Sequence, residues 1–223
     1  MTSRRKFLYT GIVGIAASNL LNISSIIAKP NQSELPAPKD DAFKLAIAGF
    51  SFVNFKLDES LKMMKKVDAH YLCIKDFHLP YNSTAEQITA FHATLKENGV
   101  TGYAVGPIYT KTRKDIDNAF DYAKRVGVDL IIGIPDHADL EYLSQKTKEY
   151  NIRYAIHNHG PEDKLYPTAE SIHNLIKNLD PRVGICFDMG HNTRAGKDSV
   201  ADLQTYNKRI FDMHLKNVTK GVK

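Results

Sequence analysis

Arg182-Val183-Gly184-Ile185-Cys186-Phe187-Asp188 is the stretch on which the fold turns. Side chains along a strand alternate between two faces, and here the positions in step with Asp188 are the small Gly184 and Cys186. Val183, Ile185 and Phe187, on the other face, are bulky and suit packing under helices. A strand with a crowded inner face and a helix-covered outer face belongs to a closed parallel sheet, and Asp188 then looks into its cavity.

Two further runs end in the same way. Tyr154-Ala155-Ile156-His157-Asn158-His159-Gly160-Pro161-Glu162 precedes this stretch and Asp212-Met213-His214-Leu215-Lys216 follows it. In the last run His214 is in step with Asp212 and Lys216, a polar inner face that a purely structural strand would avoid. Three neighbouring strands therefore deliver metal-capable side chains to one rim. Imidazole with carboxylate suits Mn, Zn, Co or Fe, whereas Mg and Ca prefer all-oxygen shells and structural zinc usually recruits thiolates. One divalent transition metal is the implied cofactor.

The rest of the chain repeats the same unit. Apolar runs at 44–52, 70–77, 100–108, 128–135, 152–159, 182–188 and 210–218 alternate with helical patterns, at a spacing of about 28 residues, the size of one β-α unit. Ser83-Thr84-Ala85-Glu86 reads as a capping box, Thr168 as the N-cap before Ala169, and Asn98-Gly99 and Gly127 as helix stops. Ile116, Phe120, Ala123 and Val126 repeat at the spacing of a helix face packed on a sheet. A doubly wound sheet would advertise a glycine-rich turn after the first strand. Gly49-Phe50-Ser51-Phe52-Val53-Asn54 has none, so the pattern predicts a (β/α)8 barrel, whose catalytic residues come from the C-terminal ends of several strands.

Residues 1–28 stand apart. Ser3-Arg4-Arg5-Lys6-Phe7-Leu8 is a twin-arginine pattern, followed by an apolar run from Thr10 and a small-residue cleavage point after Ala28. Export to the periplasm follows, with no stable membrane anchoring after cleavage. Residues 29–42 read as a proline-rich tether, and 43–223 as one domain. Of the formal net charge of +5, Arg4, Arg5 and Lys6 supply three, leaving +2 elsewhere, so a nucleic-acid footprint loses its support. Cys73 and Cys186, inside apolar runs, read as small core residues and not as a disulfide. His70, His92, His137 and His173 read as surface residues.

Here the residues carry a resemblance. His157-Asn158-His159-Gly160-Pro161-Glu162-Asp163-Lys164, then Phe187-Asp188-Met189-Gly190-His191-Asn192-Thr193-Arg194, then Asp212-Met213-His214-Leu215-Lys216-Asn217-Val218 resemble the sugar phosphate isomerase/epimerase family of xylose isomerase-like TIM barrels, especially its exported branch. The resemblance spans about residues 44 to 218. It implies a metal-dependent isomerase, epimerase or dehydratase acting on a sugar, sugar phosphate or keto-sugar by proton abstraction next to a metal-bound carbonyl. The family binds one metal through Glu, Asp, His and Glu after strands five to eight. By position Asp188 matches the Asp and His214 the His. The first carboxylate is Glu162 by its likeness to inosose dehydratases, or else the ligand is His157, which stands where the epimerase branch has its Glu. His157, His159 and His191 are then the proton-shuttling candidates, with Lys75 and Lys216 on substrate oxygens.

The resemblance fails at the end of the chain. After Val218 only Thr219–Lys223 remain, so an eighth strand and the last Glu have no sequence to form them. The expectation is an incomplete barrel of about seven strands, with unpaired edges that favour homo-oligomers and a chain that is a fragment or has lost the family activity. Two other readings stand beside it. One is a non-catalytic sugar-binding remnant. The other is an abasic-site endonuclease-like metal hydrolase, which needs a further His where this chain has Gly106-Pro107.

Overall fold

Each apolar run starts a parallel strand, and a helix then carries the chain back over the sheet. The structure, a computed structural model, describes residues 44–218. The strands are β1 (Ala46–Ala48), β2 (Tyr71–Ile74), β3 (Thr101–Thr110), β4 (Leu130–Pro135), β5 (Arg153–His157), β6 (Val183–Asp188) and β7 (Ile210–His214). The helices are α1 (Leu57–Lys66), α2 (Ala85–Glu97), α3 (Arg113–Val126), α4 (Leu140–Tyr150), α5 (Ala169–Ile176), α6 (Met189–Arg194) and α7 (Ser199–Tyr206). Every strand pairs in parallel with its successor, in the order β1-β2-β3-β4-β5-β6-β7. This is an α/β TIM-barrel fold with seven strands among the described residues, β1 and β7 being the outermost.

The two faces of the sheet differ as the alternation requires. Val183, Ile185 and Phe187 of β6 join the large core beneath the helices, together with Ile116, Phe120, Ala123 and Val126 of α3. A separate inner cluster holds Cys73, Ala104, Leu130, Ile132, Ala155 and Cys186, with Tyr103 and Phe211 against it. Small side chains, Cys73, Ala104, Ala155 and Cys186, alternate there with large ones because strands that curve toward one another leave little room inside. The curvature is visible directly: Tyr103 of β3 donates its phenolic O–H to Asp212 of β7 at 3.1 Å.

Helix ends are set locally. Thr112 and Thr168 accept hydrogen bonds from the third residue of α3 and α5, and Gly127 ends α3 in the left-handed region at φ +79°. Arg209, just before β7, donates to five carbonyls, those of Ile176, Lys177, Leu179, Asp180 and Val183. One guanidinium thus covers the carbonyls past the end of α5, where positive charge is favoured, and ties β7 to the bundle.

Several boundaries differ from expectation. The α2 capping box lies one residue later than Ser83-Thr84-Ala85-Glu86: Thr84 is the cap, exchanging bonds with Gln87. The first strand stops at Ala48 because the chain at Gly49 passes against β2, where a Cβ would sit 2.4 Å from the Cys73 carbonyl oxygen. The run 210–218 is strand only to His214, and Lys216 lies in irregular chain. His70 is exposed, but His92, His137 and His173 are half-buried, the first two bonded to the Val126 and Leu165 carbonyls. Cys73 and Cys186 are buried free thiols. The twin-arginine pattern, the cleavage point and the tether lie outside the described residues. Among the described residues no helix is long and apolar enough to cross a membrane.

Candidate metal centre

The C-terminal ends of β5, β6 and β7 are adjacent, and their register sets Asp188 beside His214 and Cys186 beside His157. His157 Nε2 lies 2.9 Å from His214 Nδ1 and 3.4 Å from Asp188 Oδ2, and the His214 and Asp188 atoms are 3.5 Å apart. His191, one turn into α6, brings its Nε2 to 3.8 Å from the same carboxylate oxygen. Lys216 Nζ also donates to Asp188 Oδ2. Gly190 permits that approach, since a Cβ there would fall 2.8 Å from the Lys216 Cβ.

Asp188 is fully buried and is fixed on every side. Its Oδ1 accepts the His191 backbone N–H at 2.9 Å, which makes it the N-cap of α6. Burial alone would raise its pKa, but hydrogen bonds from His157, His214 and Lys216 outweigh burial and hold it well below the usual carboxylate range. His157, 4% exposed, is pushed down to about 4, chiefly by burial, so it is neutral at neutral pH. Its Nδ1 is buried without a partner, so the network places the ring proton on Nε2, between His214 and Asp188.

That arrangement fits a divalent cation. Three donor atoms converge at 2.9–3.5 Å from one another, the spacing of ligands about ~2.1 Å from a shared ion, with an ionised carboxylate and a neutral imidazole among them. His157, Asp188 and His214 are the residues that would hold it.

Two further histidines have assigned protons. Asp163 accepts the Leu165 and Tyr166 amides at 2.7 and 2.8 Å and holds His159 Nδ1 at 3.0 Å, so His159 donates from Nδ1 and leaves Nε2 as a free acceptor. Burial would raise Asp163, but these bonds keep it low and ionised. Arg194 is always a donor and meets His191 Nδ1 at 3.0 Å, so a neutral His191 carries its proton on Nε2. Burial lowers the His191 pKa. The His159 and His191 rings are 6.0 Å apart, both beside His157, and Tyr109 stacks on His159 at 6.1 Å.

The sequence candidates thus separate. His157, His159, His191, Asp188, His214 and Lys216 come together. Glu162 is drawn instead to Arg194 on the outer rim, with its side chain 59% exposed. Lys75, at the end of β2, is paired with Asp76 at 2.6 Å. Asn158, Asp163 and Arg194 went unassigned in the sequence. Only Arg194 left a trace there, three residues after His191 on one helical face.

The model of the family described as xylose isomerase-like TIM barrel matches residues 44–223. Inosose dehydratase of Clostridium tetani (strain Massachusetts / E88) is 32% identical over 84 residues, which span 37% of this chain and 28% of that enzyme. Among solved structures, an uncharacterized protein from Parabacteroides distasonis ATCC 8503 superposes with a TM-score of 0.68 at 26% identity, over 81% of this chain and 80% of the other. The IOLI protein, solved with a zinc atom bound, superposes with a TM-score of 0.64 at 17% identity over 77% and 72%, a likeness of fold.

Proposed function

The chain belongs to the xylose isomerase-like TIM barrel family, and from that premise we propose that it is a metal-dependent sugar isomerase, epimerase or dehydratase. The observation that carries this reading is the meeting of His157, Asp188 and His214 at three adjacent strand ends. A bound Mn, Zn, Co or Fe ion would act there as a Lewis acid that stabilises negative charge on a substrate oxygen. The substrate is a small sugar, and its carbon-bound proton next to a carbonyl is the one that moves.

The residues divide that work by their hydrogen bonds. His159, with Nδ1–H held by the ionised Asp163, presents a basic Nε2 and is the group that takes the proton. His191, with Nδ1 occupied by Arg194, presents Nε2–H and is the group that returns a proton or protonates a departing hydroxyl. Lys216 donates to an oxygen close to Asp188. Loss of water is the outcome favoured by the likeness to inosose dehydratase, an enzyme named for that reaction. The Arg4-Arg5 leader supports delivery to the periplasm.

The test is solvent exchange. Full-length protein loaded with Zn, Co or Mn, incubated in heavy water with a panel of keto-sugars, inososes and sugar phosphates, should replace one carbon-bound proton by deuterium in the NMR spectrum. Exchange should vanish with chelator and in Asp188→Ala. Exchange equal in wild type and Asp188→Ala, or absent with every panel member, overturns the proposal.

A further inference from the structure

Cys186 was read as a small core residue, yet it lies one pleat below Asp188 on the same inward face of β6. The strand register places it directly beside His157 on one side and Asp212 on the other. Its Sγ, a ring nitrogen of His157 and one of His214 all lie within 4.8 Å of one another. The same two histidines therefore face a carboxylate above and a thiol below.

We propose that Cys186 is a fourth, sulfur donor to the metal held by His157, Asp188 and His214, and that it makes the centre select zinc or cobalt over manganese. This rests on the metal-dependent function proposed above. Four donors, two nitrogens, one oxygen and one sulfur, match the number that a tetrahedral ion takes, and all come from described residues. A thiolate in the set favours the softer ions over those that prefer oxygen. The thiol's other neighbour is Asp212 Oδ2, at 3.9 Å, so no short hydrogen bond competes for it.

Coordination requires a modest contraction. With Zn–S near ~2.3 Å and Zn–N near ~2.0 Å, donors on one tetrahedral ion are about 3.5 Å apart, so from within 4.8 Å of the two imidazoles Cys186 draws toward them by about 1.3 Å at most. Cys186 is fully buried, so on binding a metal its thiol proton would pass to the Asp212 carboxylate that it already faces. Zinc in catalytic sites also accepts a fifth ligand, so four protein donors do not close the centre.

Cobalt reports the sulfur directly. Full-length protein stripped with chelator and titrated with Co(II) should develop the intense near-ultraviolet sulfur-to-cobalt charge-transfer band. Cys186→Ser and Cys186→Ala should lose the band while keeping weaker Co(II) binding, and Cys73→Ala should retain it. Zinc affinity should fall by ~10- to 100-fold in Cys186→Ser, with manganese affinity nearly unchanged. Stoichiometric cobalt binding without the band, or a band that survives Cys186→Ala, overturns the assignment and leaves the proposed function standing. A wild-type chain that binds no metal overturns both.

Discussion

Asn158 and Asp188 exchange two hydrogen bonds, the Asn158 side chain accepting the Asp188 backbone N–H at 2.8 Å and donating to its carbonyl at 3.1 Å. Both residues are fully buried. The side chain at the end of β5 thus stands in for a strand partner at the end of β6, so the carboxylate that His157 and His214 face is held at both of its backbone polar groups. Asn158→Ala would leave two buried groups unpaired, at a cost of roughly 2–4 kcal/mol. Urea unfolding of that variant should show the loss, together with weaker metal retention. Unchanged stability would mean that water replaces the amide.

Acid should destabilise the metal-free protein in a defined window. His157 has a pKa of about 4 in the fold against 6.5 in the unfolded chain. Between those values the unfolded state binds the extra proton, so stability is complete above pH 6.5 and falls as pH drops toward 4, by about 3 kcal/mol. Asp188 is depressed, and its contribution, present above pH 3.8, is lost at still lower pH, so the two effects have the same sign. Urea midpoints across this range should fall steeply in wild type and flatten in His157→Gln. An equally steep fall in the variant would assign the dependence to other groups.

The parts of this molecule that were legible beforehand are those set within a few residues. Val183, Ile185 and Phe187 against Gly184 and Cys186 is a pattern with period two, and a strand covered by helices realises it directly. The meeting of Asp188 and His214 was legible for the same reason, because the ends of adjacent parallel strands must be neighbours. What holds those groups was not. Tyr103 and Asp212 meet across 109 residues, and Arg194 meets Glu162 across 32. No local spacing encodes either contact. Strand ends were overrun for a related cause: Asn158 and Lys216 continue the alternation in sequence, but Asn158 turns to bond the backbone of β6, and Lys216 reaches Asp188 from beyond β7.

Export is testable apart from the chemistry. If Arg4 and Arg5 form a twin-arginine signal, replacing both with Lys removes the recognised feature while keeping the charge. The uncleaved precursor should then accumulate in the cytoplasm, as read by fractionation and mass. Undiminished cleaved protein in the periplasmic fraction would point to another route.

The identity of the first ligand separates His157 from Glu162. His157 Nε2 lies within 3.4 Å of Asp188 and 2.9 Å of His214, while the Glu162 carboxylate is turned outward onto Arg194. The hydrogen bond to its own backbone and the neighbouring Arg194 guanidinium lower the Glu162 pKa, so it is an anion with a partner already. Exposed ion pairs of this kind hold little energy, and Glu162→Gln should leave metal content after dialysis close to wild type. His157→Ala should reduce it as far as either Asp188→Ala or His214→Ala does, because each of these removes a donor from a small set. Elemental analysis distinguishes the outcomes. If Glu162→Gln strips the metal and His157→Ala does not, the loop from Gly160 to Asp163 must swing Glu162 off Arg194 when the ion binds. Arg194 would then be left on His191 alone, and Arg194→Ala should raise metal affinity by freeing the carboxylate.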